Sequence, residues 1–283
     1  MRYTHLDETA GTENKTPFLL IHGAGSSLEQ WRENLTALAR ERPVYALDLL
    51  GFGQSEKVAT ELNTDLWVAQ TVVFCQTFLQ RPAIVMGHSL GALVALQMTA
   101  SYPEQVNRLI MLTLPAARQE LTGKAAKIGA VVERWFASPL LIRPLFWFAR
   151  SPKLIRKVLK ALSQDSTKVD DELIDSFVRP TQERGAARTF CYLVKSRTAT
   201  DFSPLTKDLI PQVKVPSLLL WGKCDRVIPI AWGQYINRLN PRLTFIELEG
   251  AGHFLYDESA PDLHNLLDRW LADDLPPTND DLI

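Results

Sequence analysis

The sequence has 283 residues, of which 46% are hydrophobic and 22% are charged; this is the balance of a folded globular protein and excludes a disordered or collagen-like chain. Its formal net charge of -1 provides no overall field that would recruit nucleic acid or an anionic membrane. The three cysteines are odd in number and widely spaced, which argues against a disulfide framework and against a cysteine metal site.

The N-terminal segment and the most apolar run bear on the location of the protein. Residues 1–8 contain no apolar stretch of the kind that forms a signal peptide. The run 140–149 is broken by Arg143 and Pro144 and is far shorter than the roughly 20 residues that span a bilayer. We therefore expect a cytoplasmic protein without a transmembrane helix.

Six short apolar runs predict buried β-strands, because each is rich in Val, Ile, Leu or Phe and is bounded by Gly, Pro or Asp. They are Phe18–Ile21, Val44–Leu47, Ala83–Met86, Leu109–Leu112, Ser217–Trp221 and Leu243–Leu248. Helical patterns lie between them. Strands that are apolar on both faces and alternate with helices predict the α/β class, with a doubly wound, mostly parallel sheet flanked by helices.

This alternation stops between residues 115 and 208, where helical patterns follow one another. The predicted helices are Gly123–Phe136, Leu140–Arg150, Pro152–Leu162, Asp170–Val178 and Thr181–Ser196. Because the segment leaves the sheet near its middle, we expect a helical lid over a site at the carboxyl ends of the strands. Residues 1–114 and 209–272 would then form one core, and 273–283, rich in Asp and Pro, a disordered tail.

A G-x-S-x-G pattern spans residues 87–91, with Ser89 at its centre. The pattern follows a predicted strand and precedes a helical run. In that setting a tight turn holds a serine hydroxyl above the sheet, and small flanking residues relieve crowding around it. The context therefore favours a nucleophilic Ser89 over a simple helix cap.

Four further motifs accompany this turn along the chain. They are I-H-G-A-G at 21–25, D-L-L-G-F-G-Q-S at 48–55, W-G-K-C-D-R-V-I-P at 221–229 and G-A-G-H-F at 250–254. Together, and in this order, they resemble the α/β-hydrolase family over almost the whole length. One departure is that only about 17 residues precede the first core strand, so we expect the antiparallel hairpin that usually opens the fold to be shortened.

The resemblance implies a catalytic triad of Ser89, Asp225 and His253. The chemistry requires these residue types, because an unassisted serine hydroxyl is a weak nucleophile and needs a base to accept its proton. A histidine accepts that proton near neutral pH and returns it to the leaving group. A buried carboxylate orients the imidazole and stabilises its charged form.

The resemblance also assigns an oxyanion hole to two backbone N–H groups, those of Ala24 and Leu90. Backbone donors leave no signature in residue types, so this assignment follows from position alone. No metal or organic cofactor is implied. The dehalogenase and epoxide-hydrolase branches of the family have an Asp at this turn, and its carboxylate forms an alkyl ester with the substrate. Ser89 at that position argues against both branches.

Other polar residues compete for roles in the site. We expect His22 and His88 to support loop structure, and His264 to lie at the surface or at the core edge of a C-terminal helix. His5 stands in a poorly constrained segment. Asp48 is expected to accept hydrogen bonds from nearby backbone amides in its turn.

The predicted lid is basic and aromatic. Residues 118–160 contain ten Lys or Arg against two Glu, together with two Trp and three Phe. Amphipathic basic helices often rest on anionic membranes, although these cations also fit a solvated face above a packed apolar one. The aromatic content favours an apolar or amphipathic acyl substrate.

The sequence thus predicts a cofactor-independent serine hydrolase of carboxylic esters, similar to esterases and lipases. Carbon–carbon bond hydrolysis, thioester hydrolysis and acyl transfer use the same triad and stay open. A ligand receptor on the same fold is a further alternative, since a fold does not determine a function. Nucleic-acid binding has no support beyond the basic segment, and the oligomeric state is not readable.

Overall fold

The computed structural model describes residues 1–7, 14–121 and 139–273. Its centre is a seven-stranded sheet of order β1-β3-β2-β4-β5-β6-β7. The strands are β1 (Tyr3–Leu6), β2 (Phe18–Ile21), β3 (Val44–Leu47), β4 (Ala83–His88), β5 (Val106–Leu112), β6 (Ser217–Gly222) and β7 (Leu243–Leu248). All neighbouring pairs are parallel except β1 with β3.

The predicted doubly wound α/β fold is therefore confirmed, and the six predicted strands are present. β4 and β5 are each longer than their apolar runs, because Gly87, His88 and Val106 also pair in the sheet. At the opening, the single short strand β1 is antiparallel to β3.

Helices cover both faces of the sheet. Those of the core are α1 (Leu35–Ala39), α2 (Thr64–Phe74), α3 (Leu90–Ser101), α8 (Thr206–Leu209), α9 (Ile230–Asn237), α10 (Leu255–Glu258) and α11 (Ala260–Leu271). α3 packs on one face, where its fully buried Ala92 and Ala95 let the helix approach β4 and β5. α11 packs on the other face through Leu263 and Leu267, beside Trp31.

Between β5 and β6 the described chain forms four longer helices and no strand. They are α4 (Pro139–Ala149), α5 (Pro152–Leu162), α6 (Asp171–Gln182) and α7 (Ala186–Thr198). We call residues 139–198 the helical insertion. The predicted helix Gly123–Phe136 lies outside the described residues, as does all of the predicted tail except Asp273.

One helix prediction within the insertion was wrong. The expected helix Thr181–Ser196 is interrupted, because α6 runs on to Gln182 and α7 starts only at Ala186. Gly185 separates them with a φ of +94°, a left-handed conformation that glycine adopts at little cost. Asp170 starts α6 by accepting a hydrogen bond from the Leu173 N–H.

Arg32 of the core is one of the residues that tie the helical insertion to the core. The Arg32 guanidinium donates to both carboxylate oxygens of Asp170 at 2.7 and 2.8 Å, and also to Asp257 at 3.0 Å. Burial raises the pKa of Asp257, and the bond from Arg32 opposes that change. Among the described helices, none is long and apolar enough to cross a membrane.

Candidate active site

Ser89 stands in the turn between β4 and α3 with a φ of +51°. This conformation is unfavourable for a residue with a side chain, so the surroundings must hold it. The Ser89 N–H donates to the Leu112 carbonyl at 3.0 Å, and the Ser89 carbonyl accepts from the Ala92 N–H at 2.9 Å. Both glycines of the motif are required, since a Cβ on Gly87 or Gly91 would lie well inside 3.0 Å of backbone atoms.

Asp225 and His253 follow β6 and β7 and meet at the carboxyl edge of the sheet. The His253 Nδ1–H donates to Asp225 Oδ2 at 2.8 Å. The other carboxylate oxygen of Asp225 accepts from the N–H groups of Val227 and Ile228, at 2.7 and 2.9 Å. Because these bonds fix a buried carboxylate, the imidazole presents its other nitrogen, Nε2, away from Asp225.

Ser89 and His253 line the same cavity. In the described part of the chain no hydrogen bond joins Ser89 to His253, and the Asp225–His253 pair is the bonded half of the predicted triad. In unliganded enzymes this contact is often long and shortens only when substrate binds. The structure thus brings all three predicted residues to one edge of the sheet, and their catalytic roles stay a prediction.

The predicted oxyanion donors, Ala24 and Leu90, also line this cavity. Among the described residues neither backbone N–H has an acceptor within the protein. Leu90 is the first residue of α3, where an N–H has no partner in its own helix and lies at the positive end of the helix dipole. Both groups are therefore free to donate to a bound oxygen.

His22 supports a loop, as predicted. The Leu49 N–H donates to its Nε2 at 3.1 Å, so its Nδ1 carries the proton and donates to the Gly23 carbonyl at 2.7 Å. Complete burial lowers the pKa of His22. A neutral ring in this tautomer joins the end of β2 to the turn after β3.

His88 lies behind His253. Its Nε2 donates to the His253 carbonyl at 3.0 Å, and its ring packs edge-on against the rings of His253 and Tyr256, each at 4.8 Å between centroids. Burial, and then the charge of His253, hold the pKa of His88 well below its usual value. The side chain is a neutral support for the His253 loop, which confirms the structural interpretation.

The remaining competitors are also accounted for. Asp48 accepts from the N–H groups of Leu28 and Gln54 at 2.6 and 2.7 Å, which confirms its predicted turn role. His264, half-buried on α11, bonds to the Asn34 side chain at 3.1 Å. It lies at the edge of the core, as predicted, and is not among the residues that line the cavity.

The cavity has a volume of about 940 Å³ and most of its wall is apolar. The core contributes Leu93, Ile228 and Phe254, and the helical insertion contributes the side chains of Leu154, Ile155, Val158, Leu159 and Leu162 from α5. Two cations, Arg118 and Arg197, stand at this wall as well. Such a space holds a small-molecule substrate with a sizeable apolar part.

Two site residues were missed by the sequence analysis. Gln30, almost fully buried, accepts the Gly23 N–H at 3.0 Å through Oε1 and so holds the loop that carries Ala24; its own NH2 group has no partner within the described chain. No motif singles out this glutamine. Only its place beside the buried Trp31 hints that it is not exposed.

The second is Glu258 of α10. One carboxylate oxygen accepts the Gly252 N–H at 2.6 Å, directly before His253. The other accepts from the Ser163 hydroxyl and the Gln164 N–H at 2.8 and 2.9 Å, at the end of α5. Sequence patterns cannot find these contacts, because Ser163 and Gln164 lie 95 and 94 residues before Glu258 in the chain.

The described residues form no candidate metal-binding site. Within residues 1–7, 14–121 and 139–273, no group of three or more His, Cys, Asp or Glu side chains could hold a metal ion.

Comparison with known proteins agrees with this geometry. The family model described as alpha/beta hydrolase fold matches residues 16–260. The chain therefore belongs to the alpha/beta hydrolase family, and its general activity is that of a hydrolase.

Individual relatives are distant. The uncharacterized hydrolase YugF of Bacillus subtilis is 27% identical over 244 residues, covering 86% of this chain and 85% of that protein. The 2-hydroxy-6-oxo-6-(2'-aminophenyl)hexa-2,4-dienoic acid hydrolase of Metapseudomonas resinovorans is 26% identical, covering 88% and 81%. The crystal structure of a membrane phospholipase A, a bacterial virulence factor, superimposes with a TM-score of 0.77 at 22% identity, covering 96% and 82%, a likeness of fold.

Proposed function

We propose that the protein is a serine hydrolase that cleaves carboxylic esters with an apolar or amphipathic acyl group and needs no cofactor. The observation that carries the proposal is the apolar cavity on which Ser89 and His253 both open. A small polar acid would leave most of that wall without a partner. A longer acyl chain would bury it.

In the first half-reaction, His253 Nε2 accepts the proton of the Ser89 hydroxyl as its oxygen attacks the ester carbonyl. The bond from Nδ1 to the buried Asp225 holds the ring in the tautomer that leaves Nε2 free to accept. The charged imidazole is stabilised by the same carboxylate. It then gives its proton to the departing alcohol oxygen, and an acyl-enzyme on Ser89 results.

The N–H groups of Ala24 and Leu90 would hold the carbonyl oxygen as it becomes negative. Removing one such donor typically costs a hundredfold or more in rate. In the second half-reaction, water attacks the acyl group and His253 accepts a proton of the water. His253 then gives that proton to the Ser89 oxygen as the acyl–oxygen bond breaks, which frees the hydroxyl and releases the carboxylic acid.

Carbon–carbon bond hydrolysis is a second candidate. It is favoured by the relative from Metapseudomonas resinovorans, whose named substrate is a hydroxy-oxo-dienoic acid. Such a substrate carries a carboxylate, and the cavity wall holds two arginines, Arg118 and Arg197, against one acidic residue, Glu120. The predominantly apolar remainder of the wall is the reason to place ester hydrolysis first.

The test is turnover of p-nitrophenyl esters of increasing acyl length, alongside a 2-hydroxy-6-oxo-dienoic acid, by the native protein and by Ser89→Ala. Ser203→Ala is the matched control, because Ser203 is a buried serine of the same cavity wall and lies outside the predicted triad. We expect medium and long esters to be hydrolysed by the native protein and the control, and not by Ser89→Ala.

Efficient cleavage of the dienoic acid with no ester turnover would replace the first proposal by the second. A native protein that binds ester analogues without consuming any substrate would instead favour the ligand-receptor alternative.

A further inference from the structure

The outer side of α4 and α5 combines exposed aromatic rings with exposed cations. The rings are those of Trp147 and Phe148, whose surfaces are 59% and 67% exposed. The cations beside them in the chain include Lys153 and Lys157 on α5, both exposed. We call this set, together with Leu145, the aromatic-basic face.

The orientation of α4 explains why its rings are exposed. Ile142 and Phe146 are buried and define its inner side, and Phe146 packs against Phe190 of α7 at 5.3 Å between centroids. With 3.6 residues per turn, Trp147 and Phe148 then fall on the opposite side. Large exposed aromatic patches on a water-facing helix mark a surface that binds something.

The charge of this region differs sharply from that of the chain. Residues 139–162 contain six Lys or Arg and no Asp or Glu, although the whole chain has a net charge of -1. In the described structure one of the six, Arg156, forms an ion pair, and its partner is Asp171. Arg150 lies over the Trp147 ring at 3.5 Å from its centroid, a cation–π contact.

The inner side of the same two helices faces the cavity. Ala149 at the end of α4 and Leu154, Ile155 and Leu162 of α5 are part of its wall. A two-residue connection, Arg150–Ser151, joins the helices. The helices α4 and α5 thus separate the aromatic-basic face from the cavity.

From these observations we propose that the aromatic-basic face docks on an anionic phospholipid membrane, with Trp147 and Phe148 in the interfacial region and the cations against lipid phosphates. Aromatic rings flanked by Lys and Arg match that interface in both polarity and charge. The site then draws amphipathic esters from the membrane; this second statement rests on the proposed ester hydrolysis.

The experiment is flotation of the full-length protein with vesicles of phosphatidylcholine, with and without phosphatidylglycerol. The variants are the double substitution Trp147→Ala with Phe148→Ala, and the charge reversal Lys157→Glu. The controls are Tyr102→Ala and Lys214→Glu. Tyr102 is an exposed aromatic residue at the C-terminus of α3, and Lys214 is an exposed lysine just before the amino end of β6.

We expect the native protein to float with the anionic vesicles and to do so less at high salt, which screens surface charge. Each face variant should bind about tenfold or more weakly. The two controls should bind as the native protein does. Equal loss in the controls, or no preference for anionic lipid, would overturn the proposal.

Two further readouts separate this proposal from its alternatives. Light scattering after size-exclusion chromatography would overturn it if the native protein were a dimer that the double variant converts to a monomer, since a second copy would then cover the face. Hydrolysis of a short soluble ester should be unchanged in all face variants. Vesicle binding without any ester turnover would leave the membrane site standing and would reject ester hydrolysis.

Discussion

The carboxyl edge of the sheet fixes Ser89 through backbone contacts, whereas the helical insertion forms its side of the cavity with side chains. Gly87, Gly91 and Gly222 each lie so close to a neighbouring backbone that a Cβ would come well inside 3.0 Å. Within residues 139–208 the single glycine is Gly185, and its Cβ would meet nothing nearer than 3.2 Å.

This difference teaches where a change of function is expected to be easy. Close backbone packing leaves the reacting groups almost no freedom, so the chemistry is held constant by the core. The side chains of α5 are replaceable one at a time, so we expect them to set which substrate fits. The following predictions test this division, from the largest expected effect to the smallest.

Asp225→Asn tests the chemistry proposed at the carboxyl edge of the sheet. An amide cannot stabilise the charged imidazole or fix its tautomer as the carboxylate does. We expect kcat for esters to fall about 10⁴-fold while the unfolding midpoint in urea stays near that of the native protein. Asp201→Asn, an exposed carboxylate outside the site, is the control. Retention of activity within tenfold would remove Asp225 from the triad.

Gly91→Ala tests the backbone packing. Its Cβ would clash with the Ile21 and His22 carbonyls, so we expect a loss of about 3 kcal/mol in the free energy of unfolding. Gly250→Ala is the control for a substitution without a clash: the φ of Gly250 is positive, at +67°, but nothing lies within 4 Å of its Cβ. The control should lose only about 1 kcal/mol, from backbone strain. Equal losses in urea denaturation would contradict the packing argument.

Glu258→Gln tests the junction of the two regions. One of its oxygens becomes an NH2 group that cannot accept, so the bond from the Gly252 N–H or the bond from the Gln164 N–H must be lost. We expect a cost of about 1.5 kcal/mol in unfolding free energy. Glu249→Gln, an exposed partner of Lys223, should cost less than about 0.5 kcal/mol. An unchanged Glu258 variant would mean that this junction does not stabilise the fold.

The last prediction is a pH dependence of stability. His22 and His88 have pKa values lowered mainly by burial, so the unfolded chain binds more protons than the folded chain below about pH 6.5. Stability from these groups is complete above that pH and is lost as the pH falls. Urea midpoints at about pH 7.5 and about pH 5.5 should show the decrease. His5→Gln, an exposed position, should leave it unchanged; a midpoint that rises in acid would contradict the sign.

The sheet and the positions of the predicted site residues follow from sequence because local patterns determine them. Apolar runs mark the strands, and the turn around Ser89 carries its own glycines. Asp225 and His253 were placed by resemblance, and the structure brings them within hydrogen-bonding distance.

The rest depends on contacts between distant residues. The break between α6 and α7 was missed although Gly185 is a helix-stop signal in the sequence; Glu183 is extended and Gly185 has a φ of +94°. The roles of Gln30 and Glu258 arise when loops meet in space. Which side of α4 packs inward is likewise set by packing, since its apolar residues lie on more than one side of the helix.

The central claim is that His253 and Asp225, at the carboxyl edge of the sheet, activate Ser89 for attack. Intact-mass spectrometry after treatment with a fluorophosphonate tests this claim most directly. We predict one covalent adduct per chain for the native protein and for Ser203→Ala, located by peptide mapping at Ser89, and none for Ser89→Ala. An adduct that persists in Ser89→Ala, or a native protein that forms none, would contradict the account.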